Sequence, residues 1–197
     1  MSTPPSHTQF TIRGASKEDE SQILTLLPYL ADFDIPIRRS SADLWSGDAD
    51  LAKTILSGNA PSSFIDVAER DGGTVVGLIM VSLREELLSH APSAHLEAIV
   101  VAPNARGTGL GKRLMMHCER KVRQQGASSL TLHVFSRNAR ARALYASEGI
   151  RRGTGSRDQM ARLTILNSQL ITAVIARALF KEPVSYTHLT LPTKRIV

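Results

Sequence analysis

A loop with glycine at every second position carries the clearest chemistry in this sequence. Residues 98–112 read AIVVAPNARGTGLGK, so an apolar strand and a proline turn precede Gly107, Gly109 and Gly111. Glycine adopts positive φ and lets backbone N–H groups approach a ligand without a Cβ in the way. A helix that begins behind the glycines adds further N–H donors and the positive end of its dipole. The pattern predicts a loop that binds pyrophosphate.

The glycine spacing excludes two common nucleotide loops. A P-loop requires Gly-x-x-x-x-Gly-Lys-Ser/Thr, but Gly107 and Gly111 are one residue too close, and Arg113 stands where the magnesium-binding hydroxyl belongs. The dinucleotide fingerprint requires Gly-x-Gly-x-x-Gly, whereas this loop has Gly-x-Gly-x-Gly. What remains is Arg-x-x-Gly-x-Gly at residues 106–111, which alone is also compatible with an ordinary glycine-rich turn before a helix.

A second motif lies further along the chain. Residues 138–149 read NARARALYASEG, that is Asn-x-x-Ala-x-x-Leu-Tyr-x-x-x-Gly. Together with the loop at residues 106–111, it resembles the two signatures of the GNAT acetyltransferases, in the family's order and at its usual distance. The resemblance covers roughly residues 9–150. It implies the GNAT acyl-CoA N-acyltransferase fold, an α+β fold with a mixed, mostly antiparallel central sheet flanked by helices.

The same resemblance implies an activity. A GNAT enzyme moves the acetyl group of acetyl-CoA to a primary amine of a small molecule or a peptide, by direct attack through a tetrahedral intermediate. Acetyl-CoA is then a cosubstrate, and we expect no metal because no Cys/His cluster has metal-ligand spacing. The alternative is a catalytically impaired acyl-CoA-binding module, which an intact loop with an incomplete C-terminal part of the domain would produce.

Two side chains are candidates for the proton transfers that acetyl transfer requires. Glu97 is the candidate general base, because family members often have an acidic residue two positions before the residue equivalent to Ile99. His95, on the same strand face, is the runner-up. Tyr145 is the candidate general acid, since a phenol of pKa about 10 suits a thiol leaving group. The structural alternatives are an ion-paired strand glutamate and a core aromatic residue.

The resemblance also indicates which residues would bind the cosubstrate. The backbone of residues 99–101 would pair with the pantetheine arm between two splayed strands, as an added strand does. The loop at residues 106–112 would hold the pyrophosphate, and Asn138 would hydrogen-bond the cosubstrate or fix its own loop. The predicted cosubstrate-binding residues are Ile99, Val100, Val101, Arg106, Gly107, Thr108, Gly109, Leu110, Gly111, Lys112 and Asn138.

The acceptor is poorly determined by the sequence. By resemblance, the first helices and residues 31–47 and 84–94 would hold it, and acids such as Asp32 and Asp34 would suit a cationic amine. Charged residues in loops are usually only solvated. Arg38 and Arg39 lie in the same region and would repel a cationic amine. The sequence therefore favours no particular amine.

Charge and composition argue against other functions. The net charge of +6 lies wholly in residues 151–197, because residues 1–150 carry 16 Lys+Arg and 16 Asp+Glu. A neutral domain has no basic footprint for nucleic acid. No apolar run approaches the roughly 18 residues of a transmembrane helix, and the N-terminus does not resemble a signal peptide. The single cysteine, Cys118, cannot form an internal disulfide. We expect a cytoplasmic protein that binds neither nucleic acid nor membrane.

The remaining patterns predict the elements that position the motifs. The order is β-α-α-β-β-β-α-β-α over residues 9–150, after a disordered lead-in at residues 1–8. An apolar stripe predicts the helix behind the glycine loop, formed by Leu110, Leu114, Cys118 and Val122. The sequence DGG at residues 71–73 predicts a tight hairpin turn between two strands.

Residues 151–197 depart from the family pattern, which continues with two more strands. Residues 158–181 instead have leucines at helical spacing and predict a helix. One interpretation is a divergent C-terminal helix. The other is a frameshift near Gly149, because codons for GIRRGT shifted by one nucleotide can spell GFDGEL. Residues 184–193 read VSYTHLTLPT and resemble the translation of a sequencing-library adapter.

Overall fold

The computed structural model describes residues 10–36, 39–86, 90–147, 151–152 and 160–166. The chain divides into two units, Met1–Leu166 and Asn167–Val197, and the second unit lies outside the described residues. The predicted lead-in at residues 1–8 and the adapter-like segment also lie outside them.

The described residues form a single sheet with helices between its strands. The strands are β1 (Phe10–Gly14), β2 (Ser63–Arg70), β3 (Thr74–Glu85), β4 (Pro92–Val101), β5 (Ser129–Phe135), β6 (Arg151–Arg152) and β7 (Met160–Leu166). The helices are α1 (Glu20–Leu26), α2 (Ser46–Leu56), α3 (Leu110–Gln124) and α4 (Ala139–Ser147), with short 3-10 turns at Lys17–Asp19, Leu27–Ala31, Ala42–Leu44 and Pro103–Ala105. The predicted order of elements up to residue 150 is confirmed.

The strand order is β1-β2-β3-β4-β5-β7-β6. Only the pairing of β4 with β5 is parallel among the described strands, and every other pairing is antiparallel. The predicted mixed, mostly antiparallel sheet is therefore confirmed. Strands β3 and β4 pair as far as Glu85 opposite Pro92, so their hairpin includes part of the segment at residues 84–94 that the resemblance assigns to the acceptor.

The sheet opens between β4 and β5. Their pairing begins at Ser93 opposite Ser129 and ends at Leu96 opposite Leu132, although β4 continues to Val101. The last residues of β4 therefore run without β5 alongside them. This splay leaves a gap in the middle of the sheet, at the strand end that leads to the glycine loop.

A β-bulge accompanies the splay. On β3, Met80 pairs with Ala98 and the next residue, Val81, pairs with Leu96, so Glu97 is an extra residue on β4. A bulge increases the local twist of a strand and changes where a side chain points. The candidate base thus occupies the position where β4 turns away from its regular pairing.

Helix α3 packs its predicted apolar stripe into the core. Its four residues are all buried, and Gly126 follows the helix with φ +86°. Cys118 is fully buried, and this burial raises the pKa of its thiol to about 12. The thiol therefore stays protonated, and Cys118 is a core residue rather than a nucleophile.

The helix predicted over residues 158–181 is wrong where the structure describes it. Met160–Leu166 form strand β7, which pairs antiparallel with all of β5, and Arg151–Arg152 form β6 beside it. The remainder of that predicted helix lies outside the described residues. The edge of β5 offers unpaired backbone groups, and pairing with such an edge outweighs a local preference for helix. The impaired-module alternative assumed that the C-terminal part of the domain is incomplete. These two strands correct that assumption.

A buried acid ties the start of the first helical segment to the sheet. Asp19 accepts hydrogen bonds from Nη1 and Nη2 of Arg13, at 2.7 and 2.9 Å, and from the backbone N–H of Ser16 at 2.8 Å. The last bond is half of a capping box, in which the Asp19 side chain satisfies the N–H of the N-cap residue Ser16. The Arg13 guanidinium lowers the pKa of Asp19 to about 2.

We expect Asp19→Asn to lower the free energy of unfolding at pH 7 by about 1–2 kcal/mol. A carboxylate whose pKa is depressed by folding stabilises the protein above its unfolded pKa of about 4. That contribution is lost as the pH falls through the folded pKa. Urea unfolding between neutral pH and about pH 2 should therefore show a shallower pH dependence in the variant. Asp50→Asn, which neutralises an exposed acid on α2, is the control and should retain the wild-type slope.

Candidate active site

The glycine loop has the backbone conformation that its sequence predicts. Gly107 and Gly109 have φ of +76° and +79°, in the left-handed region that other residues rarely adopt. Gly109 is also the N-cap of α3, where it turns the chain into the helix. The backbone N–H of Arg113 donates to the Gly109 carbonyl at 3.1 Å, and this hydrogen bond closes the first turn of the helix. The N–H groups of Leu110 and Gly111 precede that bond and form the donor end of the helix.

The third glycine permits close packing of α3 against α4. A Cβ placed on Gly111 would lie 3.3 Å from Cδ2 of Leu144. Such a contact is tighter than ordinary packing, so a side chain here would require the Leu144 side chain to shift. The glycine therefore lets α3 and α4 pack closely at this point.

A cleft of about 280 Å³ lies in front of this loop. Ten of the eleven predicted cosubstrate-binding residues line it, and Thr108 does not. The Thr108 hydroxyl instead donates to the Ala105 carbonyl at 2.7 Å, which shapes the loop from within. The lining residues that sequence reasoning missed are Tyr29, Leu30, Asp32, Ala105, Arg140, Ala141 and Leu144.

Arg106 is held along the wall of the cleft. Its Nε donates to the Val101 carbonyl at 3.1 Å, and its Nη1 donates to Oδ2 of Asp32 at 2.5 Å. The guanidinium also lies over the ring of Tyr29, 5.7 Å from the centroid. Asp32 and Tyr29 are more than seventy positions away in the chain, so no local spacing could have predicted these contacts.

Two acids that were considered for the acceptor are ion-paired instead. Asp32 binds Arg106 and lies 3.3 Å from Nη1 of Arg140, and Asp34 accepts from Nη1 of Arg137 at 2.9 Å. Their charges are balanced by arginines of the glycine loop and the α4 region. The acidic character of residues 31–36 therefore gives no support to a cationic acceptor.

Asn138 stabilises the start of α4. Its Oδ1 accepts a hydrogen bond from the backbone N–H of Ala141 at 3.0 Å, in the manner of a helix N-cap. The side chain belongs at the same time to the lining of the cleft. Asn138 was predicted either to hydrogen-bond the cosubstrate or to fix its own loop, and this hydrogen bond does the second.

Glu97 lies in a small polar cluster at the bulge. One carboxylate oxygen is paired with Nη2 of Arg84, and the other is 3.9 Å from Nε2 of His95. The predicted common face of His95 and Glu97 is confirmed by this proximity. The Glu97 side chain is 16% exposed, so it is reached by solvent from one side. Glu97 thus has both the ion pair of the structural interpretation and the access that a base requires.

The contacts of His95 hold its ring beside Glu97. Nδ1 lies 2.7 Å from Oγ1 of Thr131, whose hydroxyl donates to the Ala94 carbonyl at 3.2 Å. The ring packs at an angle against His133, with 4.8 Å between centroids. These contacts leave Nε2 of His95 3.9 Å from Oε2 of Glu97.

Asp48 on α2 is a second acid whose charge interacts with that of Glu97, and sequence reasoning missed it. Burial raises the pKa of Asp48 to about 6, and the charge of Glu97 contributes to the rise. Glu97 thus disfavours the ionised form of Asp48. The long separation of Asp48 from Glu97 in the chain explains why no motif indicated the pair.

Tyr145 lies in the core beneath the cleft. It is 5% exposed, and burial raises the pKa of its phenol above the ordinary value, with a smaller contribution from Cys118. The phenol therefore remains protonated at all physiological pH values. The expectation of a pKa matched to a thiol is corrected, because desolvation disfavours the phenolate.

Among the residues that the structure describes, no group of three or more His, Cys, Asp or Glu side chains could hold a metal ion. No helix in the same part is long and apolar enough to cross a membrane.

Two curated relatives were found by sequence. The chain is 31% identical over 144 residues to the N-acetyltransferase YhfO of Bacillus subtilis, across 73% of this chain and 91% of the relative. It is 36% identical over 80 residues to ard1 of Schizosaccharomyces pombe, the catalytic subunit of the N-terminal acetyltransferase A complex. That match covers 40% of this chain, which spans 45% of the length of ard1.

Two solved structures illustrate the likeness of the fold. PaiA N-acetyltransferase from Thermoplasma acidophilum, in complex with coenzyme A, has a TM-score of 0.65 at 16% identity, over 81% of this chain and all but 1% of its own. The ribosomal-protein-alanine N-acetyltransferase from Brucella melitensis has a TM-score of 0.59 at 23% identity, over 80% of this chain and 99% of its own. At such identities the likeness concerns the fold alone.

The family model for the GNAT acetyltransferase family matches residues 29–149, which is more than half of the chain. The match includes the glycine loop, the bulged strand β4 and the cleft between them. On these grounds the chain is a member of the GNAT acetyltransferase family.

Proposed function

We propose that this protein is an N-acetyltransferase that moves the acetyl group of acetyl-CoA to a primary amine of a small molecule or a peptide. The observation that carries the proposal is the cleft, where the gap between β4 and β5 meets the glycine loop at the N-terminus of α3. This arrangement combines backbone donors for phosphate with an open strand edge for an extended arm. Family membership supports the acyl transfer, and the amine and the mechanism are our proposal.

The residues of the cleft fit a coenzyme A ligand. The N–H groups of the loop and the first turn of α3 would hold the pyrophosphate, with Arg106 adding charge. The backbone of Ile99–Val101, beyond the last β4–β5 pair, would bind the pantetheine arm. That path directs the thioester toward the splayed part of β4, next to the bulge that carries Glu97.

Glu97 would act as the general base. A carboxylate at this position removes a proton from the acceptor ammonium, directly or through a water, so that the amine can attack the thioester. The ion pair with Arg84 orients one oxygen and leaves the other toward His95. His95 is the runner-up.

Tyr145 would donate its proton, or a hydrogen bond, to the sulfur of the departing coenzyme A. We expect Tyr145→Phe to lower kcat about tenfold, below the usual contribution of a general acid, because burial makes the phenol a weak one. The dissociation constant for acetyl-CoA should not change, since the residues proposed to hold the pyrophosphate and the pantetheine arm are unaltered. Steady-state kinetics and titration of the same preparation check both values. A variant with unchanged kcat would assign Tyr145 to the core alone.

The second candidate function is an acyl-CoA-binding module with impaired catalysis. The ion pair between Arg84 and Glu97 favours it, because a carboxylate held by a guanidinium is less available to an acceptor amine. The presence of β7 beside β5, and of β6 beside β7, removes the other argument for it, which was an incomplete sheet. The two candidates differ in turnover and not in binding.

A thiol-release screen tests the proposal. The full chain is incubated with acetyl-CoA and a panel of small amines and peptides, including peptides with a free N-terminal amine because of the named activity of ard1. We expect release of coenzyme A with at least one amine. Binding of acetyl-CoA without release across the panel would favour the module, and absence of binding would exclude both candidates.

A further inference from the structure

Asp32 lies between two arginines of the cleft. Its Oδ2 atom is 2.5 Å from Nη1 of Arg106 and 3.3 Å from Nη1 of Arg140. All three residues line the cleft. Arg106 belongs to the glycine loop, and Arg140 lies in the first turn of α4. One carboxylate therefore connects the two sides of the space in which the phosphates of coenzyme A would lie.

The charges in this group are unequal. Both guanidinium groups are cations at neutral pH. The hydrogen bond from Arg106 holds the pKa of Asp32 below its usual value, so the acid is an anion. A carboxylate and a phosphate accept hydrogen bonds from guanidinium in the same fork-like geometry. Asp32 thus occupies the donors that a phosphate would use.

Asp32 is not required to hold Arg106 in place. The Nε of Arg106 donates to the Val101 carbonyl at 3.1 Å, and its guanidinium lies over the ring of Tyr29. Both contacts are independent of the carboxylate. Loss of the Asp32 charge should therefore leave Arg106 directed along the cleft wall, with its Nη donors available.

We propose that Asp32 is an internal counter-anion that competes with the phosphate groups of coenzyme A for Arg106 and Arg140. The carboxylate weakens binding of the cosubstrate and speeds departure of the product by recapturing both guanidinium groups. Arg140 is then a further phosphate-binding residue, in addition to the predicted loop. This inference rests on the proposed function, because it takes the cleft to be the coenzyme A site.

Titration of coenzyme A into the full-length Asp32→Asn variant tests this inference. We expect the dissociation constant to fall about fivefold, because a partly exposed ion pair contributes only a small free energy. The dissociation rate constant should fall with it. The gain should shrink at high ionic strength, where such charges are screened. Asp32→Glu retains the anion and should bind as weakly as the wild type.

Asp34→Asn is the charge-matched control. Asp34 pairs with Arg137 at 2.9 Å, and neither residue lines the cleft, so the variant should bind coenzyme A as the wild type does. If Asp32→Asn and Asp34→Asn increased the affinity for coenzyme A equally, the effect would come from the change in net charge, and the inference would be overturned.

Further outcomes separate this inference from the proposed function. Tighter binding of both coenzyme A and 3′-dephospho-coenzyme A by Asp32→Asn supports competition with the pyrophosphate, and a gain with coenzyme A alone supports competition with the 3′-phosphate. Unchanged or weaker binding by Asp32→Asn, in a wild type that does bind, overturns the inference and leaves the proposed function intact. A wild-type protein that binds no coenzyme A contradicts both.

Discussion

Replacement of Glu97 by glutamine is expected to lower kcat at least about 100-fold, with an unchanged dissociation constant for acetyl-CoA. Glutamine has the size of glutamate and can still accept a hydrogen bond from Arg84, but it cannot accept the proton of the acceptor ammonium. Glu97 does not belong to the lining of the cleft in which coenzyme A is proposed to bind, so binding should persist. Steady-state kinetics with the best amine of the panel, together with calorimetric titration, measure both effects.

The control for this prediction is Glu18→Gln. Glu18 is exposed in the first 3-10 turn, and its neutralisation changes the net charge by the same amount. A Glu97→Gln variant with wild-type kcat would contradict the assignment of the base. If His95→Gln then lost activity while Glu97→Gln did not, the base would be His95, whose Nε2 lies 3.9 Å from Oε2 of Glu97.

Replacement of Gly109 by valine is expected to weaken binding of acetyl-CoA by about 30- to 100-fold. At φ +79° a β-branched residue carries a strain of about 2–3 kcal/mol, which the chain can relieve by moving the loop. Such a movement would displace the N–H groups of the loop and of Leu110 and Gly111 from the positions that face the cleft. Calorimetric titration measures the loss directly.

Gly126→Val provides a matched control at the other end of the same helix. Gly126 has φ +86°, and a Cβ at either glycine would meet nothing within 4 Å, so both variants carry backbone strain without a clash. Both should lose similar unfolding free energy, whereas only Gly109→Val should lose acetyl-CoA. Equal binding by the two variants would contradict the role of the loop.

The phosphate side of the site could be predicted from local spacing. The positive φ values of Gly107 and Gly109 and the helix that begins at Leu110 all follow from one short segment, because glycine chemistry and helix termini are local properties. The buried stripe of α3 followed from helical periodicity for the same reason. Each of these features depends on residues within one or two turns of one another.

The partners of the site residues could not be predicted in this way. Asp32, Arg84 and Asp48 approach Arg106 and Glu97 only through the folded sheet. The bulge that isolates Glu97 is a property of the pairing between β3 and β4, and neither strand signals it alone. The raised pKa of Tyr145 depends on how its side chain is buried against the rest of the fold, although most of α4 is exposed.

The tail shows the opposite failure, in which a local pattern was misleading. Leucines at helical spacing predicted a helix, yet Met160–Leu166 pair with β5. A seven-residue segment can satisfy either period, and an adjacent strand edge decides between them. The frameshift hypothesis concerns the same region and stays a prediction, which the nucleotide sequence around the codon for Gly149 can test.

The most direct test of the central claim is a single reaction in which two products are counted. Full-length protein, acetyl-CoA and an amine from the panel are incubated, and the released thiol and the acetylated amine are quantified in the same samples. We predict equal amounts of both products. Their rate of formation should fall at least about 100-fold in Glu97→Gln. Thiol release without acetylated amine, or bound acetyl-CoA that is never consumed with any amine, would contradict the account.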